Sequence, residues 1–239
     1  MHGVLDERAR LLAPGHVVPL RQAHVWKAAK TWTRACENNP EMQYLRMSHK
    51  QSGLEKAIDR VVMTALMSLL RKRRIALTVD DSTAFVFAAP PSVVSEPTGP
   101  LDRTSTVIIR ILTSILQRKI VSSEQRKRNQ ELEDKTKKAI ENSLGDRVKD
   151  MVTIMILATD PDSRGRGYGG SLLDSVTSLA DVMGQTSWLT SSNVANTEFY
   201  RIHGFKTIAD IVLGDDNPEW HEQPVVVKLM VRAPRGRIA

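Results

Sequence analysis

The 239-residue chain has a single cysteine, Cys36. One thiol cannot close an internal disulfide, so the fold must rest on its apolar core, and a reducing, cytoplasmic setting is the expectation. Aromatic residues are scarce at 5%, yet an apolar fraction of 41% and a charged fraction of 26% are ordinary for a chain that buries a core. No apolar run approaches the ~18 residues that a membrane-crossing helix needs, and the N-terminus carries no signal-peptide apolar region, so no membrane association is expected. The net charge of +7 would suit a nucleic-acid partner. Its basic residues, however, alternate with acidic ones along helical stretches, which favours solvated helix faces, and no nucleic-acid partner is expected. No metal is expected either. The length fits one domain over residues 1–239 with a substantial insertion.

What the chain does have is a glycine-rich run in an informative place. An apolar stretch at 151–157 leads through Ala158, Thr159 and Asp160 into Arg164-Gly165-Arg166-Gly167-Tyr168-Gly169-Gly170. Leu172, Leu173, Val176, Leu179, Ala180 and Met183 then recur at helix spacing. Strand, glycine-rich turn and helix start aim several backbone N–H groups and the positive end of a helix dipole at one spot. Glycine allows φ > 0 and lets an anion approach the backbone, while Arg164 and Arg166 add cationic donors. A P-loop is excluded, because no Lys-Ser/Thr pair follows the last glycine. Gly165, Gly167 and Gly170 satisfy the letters of a dinucleotide fingerprint, but too little chain follows for the second half of such a fold.

A third pattern, Arg/Gln-x-x-Gly-x-Gly/Ala, is met by Arg164, Gly167 and Gly169. Downstream, Asn193, Tyr200 seven residues later, and Gly204-Phe205 repeat a second spacing, with Asn196 inside it. Together these resemble motifs A and B of the Gcn5-related N-acetyltransferase (GNAT) superfamily, and within it the fungal and bacterial small-molecule enzymes. The resemblance is tight over 151–206 and looser elsewhere.

The rest of the chain reads as alternating elements. Residues 17–20 suggest a strand, 24–36 a helix stopped near Asn38-Asn39-Pro40, and 52–70 a second helix. Two strands with a turn follow at 75–79 and 84–88, then a Ser/Pro/Gly-rich break. Residues 106–149 insert helices: an amphipathic one at 107–120 and a charge-dense one at 123–142 whose only apolar stripe is Leu132, Ala139 and Ile140. The charge favours a solvated outer helix; a lid or wall over an acceptor pocket is the sharper alternative. Residues 186–190, 206–213 and 225–231 read as strands, the last two joined by an acidic loop containing Trp220.

The resemblance implies an α/β GNAT fold: a mixed, mostly antiparallel sheet, splayed at a central parallel strand pair by a bulge near 157–159, with helices on both faces and the helical insertion. It implies an acetyl-CoA-binding core at 151–207. Leu157, Ala158 and Thr159 would bond the pantetheine arm through the main chain. The loop from Arg164 through Gly165, Arg166, Gly167, Tyr168, Gly169 and Gly170 would hold the pyrophosphate. Asn193 and Asn196 would lie beside the arm, and Tyr200 would protonate the leaving thiolate. The implied reaction is direct attack of a small-molecule amine on the thioester of acetyl-CoA, by a monomer or homodimer. Protein lysine or N-terminal acetylation, and a CoA-binding module with little turnover, are the alternatives. One departure stands out: where many relatives carry a basic Glu on the cofactor strand, this chain has Met155. The base would then come from Glu219, His221 or Glu222 in the late loop, or from water. Phe199 is expected to pack under the helix so that Tyr200 is free for chemistry, and His203 to be a surface residue.

Overall fold

The computed structural model describes residues 15–47, 52–91 and 122–236. The helix expected at 107–120 lies outside them. The described strands are β1 (Val18–Pro19), β2 (Ile75–Val79), β3 (Ala84–Ala89), β4 (Val152–Thr159), β5 (Ser187–Ser191), β6 (Lys206–Leu213) and β7 (Val225–Arg232). They form one sheet of order β1-β2-β3-β4-β5-β7-β6, in which only β4 and β5 run parallel. The described α-helices are α1 (Val25–Ala35), α2 (Pro40–Leu45), α3 (Gly53–Arg73), α4 (Ser123–Ser143), α5 (Tyr168–Val182) and α6 (Thr197–Ile202).

Alternation along the strands sends successive side chains to opposite faces. One face carries a continuous apolar cluster in which Val86, Ala88, Val152, Ile154, Leu189 and Met230 meet Leu172, Leu173, Val176 and Ala180 of α5. The stripe read from the sequence is therefore the buried side of α5, except that Leu179 and Met183 stay partly exposed. The other face carries two separate clusters. Phe85, Phe87 and Ala158 pack against Val25, Ala28 and Ala29 of α1 and Met67 of α3. Ile211, Val227 and Leu229 pack against Tyr44 and Leu45 of α2, with Leu132, Ala139 and Ile140 of α4 beside them.

Two elements differ from the sequence expectation. Asn39-Pro40 ends one helix but also starts another. The Asn39 side chain accepts from the Met42 N–H at 3.2 Å, Pro40 takes the first helical position, and α2 begins. Helix α4 keeps the solvated outer face expected of it, yet it is also tied down along its length. Arg128 is 1% exposed, lies over the rings of Tyr44 and Trp220, and donates to Glu124 (2.8 Å), the Tyr44 carbonyl (2.9 Å) and the Glu219 carbonyl (3.1 Å). Lys135 bridges Glu131 and Asp215, and Tyr44 donates to Glu131. A polar helix with a thin apolar stripe is here a fixed wall, because buried and half-buried ion pairs do the anchoring that apolar area does elsewhere.

Candidate active site

The central feature is a strand pair that comes apart. Strands β4 and β5 pair only at Val152↔Ser187 and Thr153↔Trp188, after which β4 runs on to Thr159 without its neighbour. The cause is a bulge in β4 at Met155: Ile154 faces Ala88 and Ile156 faces Phe87, with Met155 between them unpaired. This corrects the expected bulge near 157–159. The extra residue flips the alternation, so Ile154 and Leu157 join one face while Ile156 and Ala158 join the other. Met155 itself is 42% exposed, although it lies within an apolar strand.

Backbone direction past the bulge follows from one hydrogen bond. The Asp160 N–H donates to the Thr83 carbonyl at 2.8 Å, so Asp160, Ala158 and Ile156 turn their main-chain groups toward β3. Leu157 and Thr159 then turn theirs toward the gap beside β5, as expected for an extended ligand bonded in place of a strand.

The glycine-rich loop closes the end of that gap. Gly165 (φ +78°) and Gly167 (φ +77°) occupy the left-handed region, and a Cβ at either would meet nothing within 4 Å. Their absent side chains serve backbone conformation and leave open space above the loop. Gly167 is the N-cap of α5 and supplies no side-chain acceptor, so the first-turn N–H groups at Tyr168, Gly169 and Gly170 have neither an intrahelical partner nor a cap. Gly169 packs close to Phe199 and Thr159, and Gly170 close to His203. Arg166 is exposed, as is Arg164, which reaches the Ala35 carbonyl at 3.4 Å. The loop is held from α1: Arg34 donates to both carboxylate oxygens of Asp160 (3.0 and 2.7 Å) and to Asp162 (2.7 Å), and its hydrogen bond and charge keep the Asp162 carboxyl below its usual range. An open, uncapped helix start of this kind fits a pyrophosphate.

Residues 134–207 match the family model of the acetyltransferase (GNAT) domain. The chain is similar to the GNAT family over this stretch. Its fold resembles that of a structure from Corynebacterium glutamicum described as histone acetyltransferase HPA2 and related acetyltransferase, with 16% identity over 95% of this chain and 99% of that one and a TM-score of 0.53. It also resembles arylalkylamine N-acetyltransferase 2 from Aedes aegypti, with 12% identity over 92% and 99% and a TM-score of 0.58. No curated protein matches the sequence. No helix among the described residues is long and apolar enough to cross a membrane.

The GNAT second motif lands at the other side of the gap. Asn193 caps a short helical turn, its side chain accepting from the Ala195 N–H at 2.9 Å, and Asn196 is exposed at the start of α6. Tyr200 is 8% exposed and shares its cluster with Ile154 and Leu157 of β4 and Leu189 of β5. The roles expected of the two neighbouring aromatics are thus shifted. Tyr200 is the more deeply packed, against Phe199 and Phe205, whereas Phe199 covers Gly169 and stacks on His203. No described residue hydrogen-bonds the Tyr200 phenol, and burial pushes its pKa up to about 12. His203 is not a surface residue: its side chain is 15% exposed and its Nδ1 lies 2.7 Å from Asp174 on α5.

The base candidates named from sequence fall elsewhere. Glu219, His221 and Glu222 are exposed, and the loop that carries them folds onto α4 through Asn217 and Trp220. A residue absent from those candidates takes their place. Glu41, in the first turn of α2, lines a groove of about 820 Å³ together with Thr190 of β5 and Leu132 and Ile140 of α4. It has no hydrogen-bonding or cationic partner among the described residues, and burial pushes its pKa up to about 7. It lies in electrostatic range of Cys36, whose thiol is pushed up to about 11 by burial and also feels Arg46 and the loop residue Arg164. The Asn39-Pro40-Glu41 string is a helix-start signature, and reading it so would have placed Glu41 on an ordered turn.

Proposed function

We propose that this protein is an acetyl-CoA-dependent N-acetyltransferase whose acceptor is a small-molecule amine. The observation that carries the reading is the gap between β4 and β5, bordered by the outward-turned main chain of Leu157 and Thr159 and ending at the uncapped, side-chain-free start of α5. An extended arm ending in a pyrophosphate is the ligand shape that uses both. Leu157 and Thr159 hold the pantetheine through their main chain, while Ala158, expected from the sequence to share in this, has its own groups turned to β3 and does not. The run from Arg164 to Gly170 holds the pyrophosphate, and Asn193 and Asn196 border the arm.

Acetyl-CoA supplies an activated acyl group, and the protein handles two protons. The amine nitrogen attacks the thioester carbonyl carbon, the C–S bond breaks, and the acetyl group ends on nitrogen. Glu41, with a pKa near neutrality, takes the proton released by the amine, and a carboxylate so tuned is an effective base at pH 7. The Tyr200 phenol stays protonated throughout the working range and gives its proton to the leaving thiolate. A small acceptor is favoured over a protein one in that Asp215, the first acid of the late loop, is committed to Lys135, which leaves fewer free acids there for a basic peptide. The Aedes protein's name, an arylalkylamine N-acetyltransferase, points the same way.

The test is thermal. Acetyl-CoA should raise the melting temperature by mass action, and Gly167→Asp, which sets a carboxylate where the pyrophosphate belongs, should abolish the shift. Release of free CoA thiol should then require an added amine. A shift from a nicotinamide dinucleotide with none from acetyl-CoA would overturn the reading.

A further inference from the structure

We propose that the acceptor carries a carboxylate as well as an amine, and that Arg60 recognises that carboxylate. This deepens the acetyltransferase reading and rests on it. The site is a second groove of about 1000 Å³ bordered by α1, α2, α3 and the segment leading into β7. It opens beside Val194, next in sequence to Asn193, and along Pro40 and Met42, the neighbours of Glu41 on α2. Residues on both sides of Glu41 in α2 thus line this groove, while Glu41 itself lines the first.

The groove is rich in cations, and most are already matched. Arg34 is spent on Asp160 and Asp162, Arg46 pairs with Asp59 at 3.0 Å, and Lys56 pairs with Glu37 at 2.6 Å. Two are not. Lys30 has no acidic partner among the described residues. Arg60 lies with its guanidinium 5.6 Å from the centre of the Trp26 ring, and its Nε is buried with no hydrogen-bond acceptor. Buried donors are nearly always satisfied, and leaving a charged one unpaired is costly. Arg60 as a whole is only half-buried, so its Nε is cut off from water while the rest of the fork stays open to an anion that enters the groove.

Guanidinium geometry narrows what that is. Its planar fork matches two oxygens of one anionic group, and the aromatic face behind it limits its freedom to turn away. Lys30 adds a second positive charge without directional demand. Glu222, exposed on the same groove wall, has no cation partner among the described residues. The same anionic chemistry could come from a phosphate of CoA, and the experiment separates the two.

Matched acceptor pairs that differ only in the carboxylate, 2-phenylethylamine against phenylalanine and butylamine against 4-aminobutyrate, are compared by CoA thiol release with wild type and Arg60→Gln. Calorimetry on the same proteins measures CoA affinity and the affinity of each amino acid for the CoA-loaded protein. We expect the carboxylated member of at least one pair to lead in kcat/KM by about 10-fold or more, the size of a hydrogen bond to a charged group. Arg60→Gln should erase that lead while CoA affinity stays within about 2-fold. Equal or better use of the plain amines in both pairs overturns the proposal, as does a lead that survives in Arg60→Gln. Loss of CoA affinity in the variant assigns Arg60 to a phosphate and also overturns it. Should no acceptor turn over, Arg60-dependent binding of an amino acid would uphold the recognition site and reject only the transferase reading. Absence of any such binding would reject the site.

Discussion

The two faces of the sheet solve different problems. Under α5 and α6 the apolar residues form one uninterrupted cluster, and the functional groups on that side are mostly main chain: the outward N–H and C=O groups past the bulge and the uncapped turn at Gly167. Under α1 to α4 the apolar residues split into two clusters, and the grooves on that side are lined by charged and half-buried side chains. A main-chain site can be held by many sequences that keep a few glycines. A side-chain site belongs to one sequence. On the proposed function, the comparison teaches that the face offered to the cofactor is generic and the face offered to the acceptor individual, so substitutions on the two faces should fail differently.

The largest contrast should come from Glu41→Gln. Loss of a general base typically costs 10²- to 10⁴-fold, so kcat should fall by about that much with CoA affinity unchanged. In the wild type kcat/KM should rise with pH through about 7 as Glu41 ionises, and the variant should lack that limb. Stability gives a second reading with a definite sign. The folded pKa of about 7 lies above the ordinary 4.5, so the native state holds the extra proton between those values, and stability falls as pH rises across them. At 1.36 kcal/mol per unit the cost approaches about 3 kcal/mol above pH 7, and Glu41→Gln should recover part of it. A pH limb that persists in the variant would remove Glu41 from the chemistry.

Next in size is Arg128→Met. It takes a partner from Glu124, from the buried Tyr44 carbonyl and from the part-buried Glu219 carbonyl, a loss of about 3–5 kcal/mol for a broken buried pair and roughly 10 °C in Tm for a chain of this length. Because α4 walls the Glu41 groove, acceptor KM should rise in the cold, folded protein while CoA affinity holds. Unchanged Tm would show that the wall rests on Leu132, Ala139 and Ile140 alone.

The smallest of the three effects is expected on the generic face. Tyr200→Phe removes a phenol that no described residue hydrogen-bonds, so the fold should lose little, while kcat drops about 10²-fold for want of a general acid. Full turnover with a good acceptor would take Tyr200 out of the mechanism and leave it as core.

Legibility in the sequence divides along the same line. Glycines at φ > 0, a strand running into a helix start and Asn at a turn are local constraints, so the loop and the turn at Asn193 are legible in advance; the central parallel pair follows from the family resemblance, and the full strand order from neither. The bulge was placed too late because its marker, Met155, is chemically indistinct; only pairing with Ala88 and Phe87 reveals the extra residue. Helix α2 was missed because Pro40 was taken as a stop. Glu41 and Arg60 are defined by what surrounds them, burial without a partner, and that is a tertiary property no spacing encodes. The anchoring of the charge-dense helix is invisible in the sequence because its polar contacts reach residues as distant as Tyr44 and Asp215.

The Met155 bulge also gives this sheet something most sheets keep only at their borders. From Leu157 to Thr159 the strand has a neighbour on one side alone, so an edge runs through the middle of a seven-stranded sheet. Exposed edges invite pairing with any extended chain, and proteins usually blunt them with charge, proline or twist. This one is uncharged along Leu157, Ala158 and Thr159, shielded only by the narrowness of the cleft between two strands that are still joined at Val152 and Thr153. The amides of Leu157 and Thr159 should therefore exchange with solvent far faster than those of Ile156 and Ala158, their neighbours in the same strand.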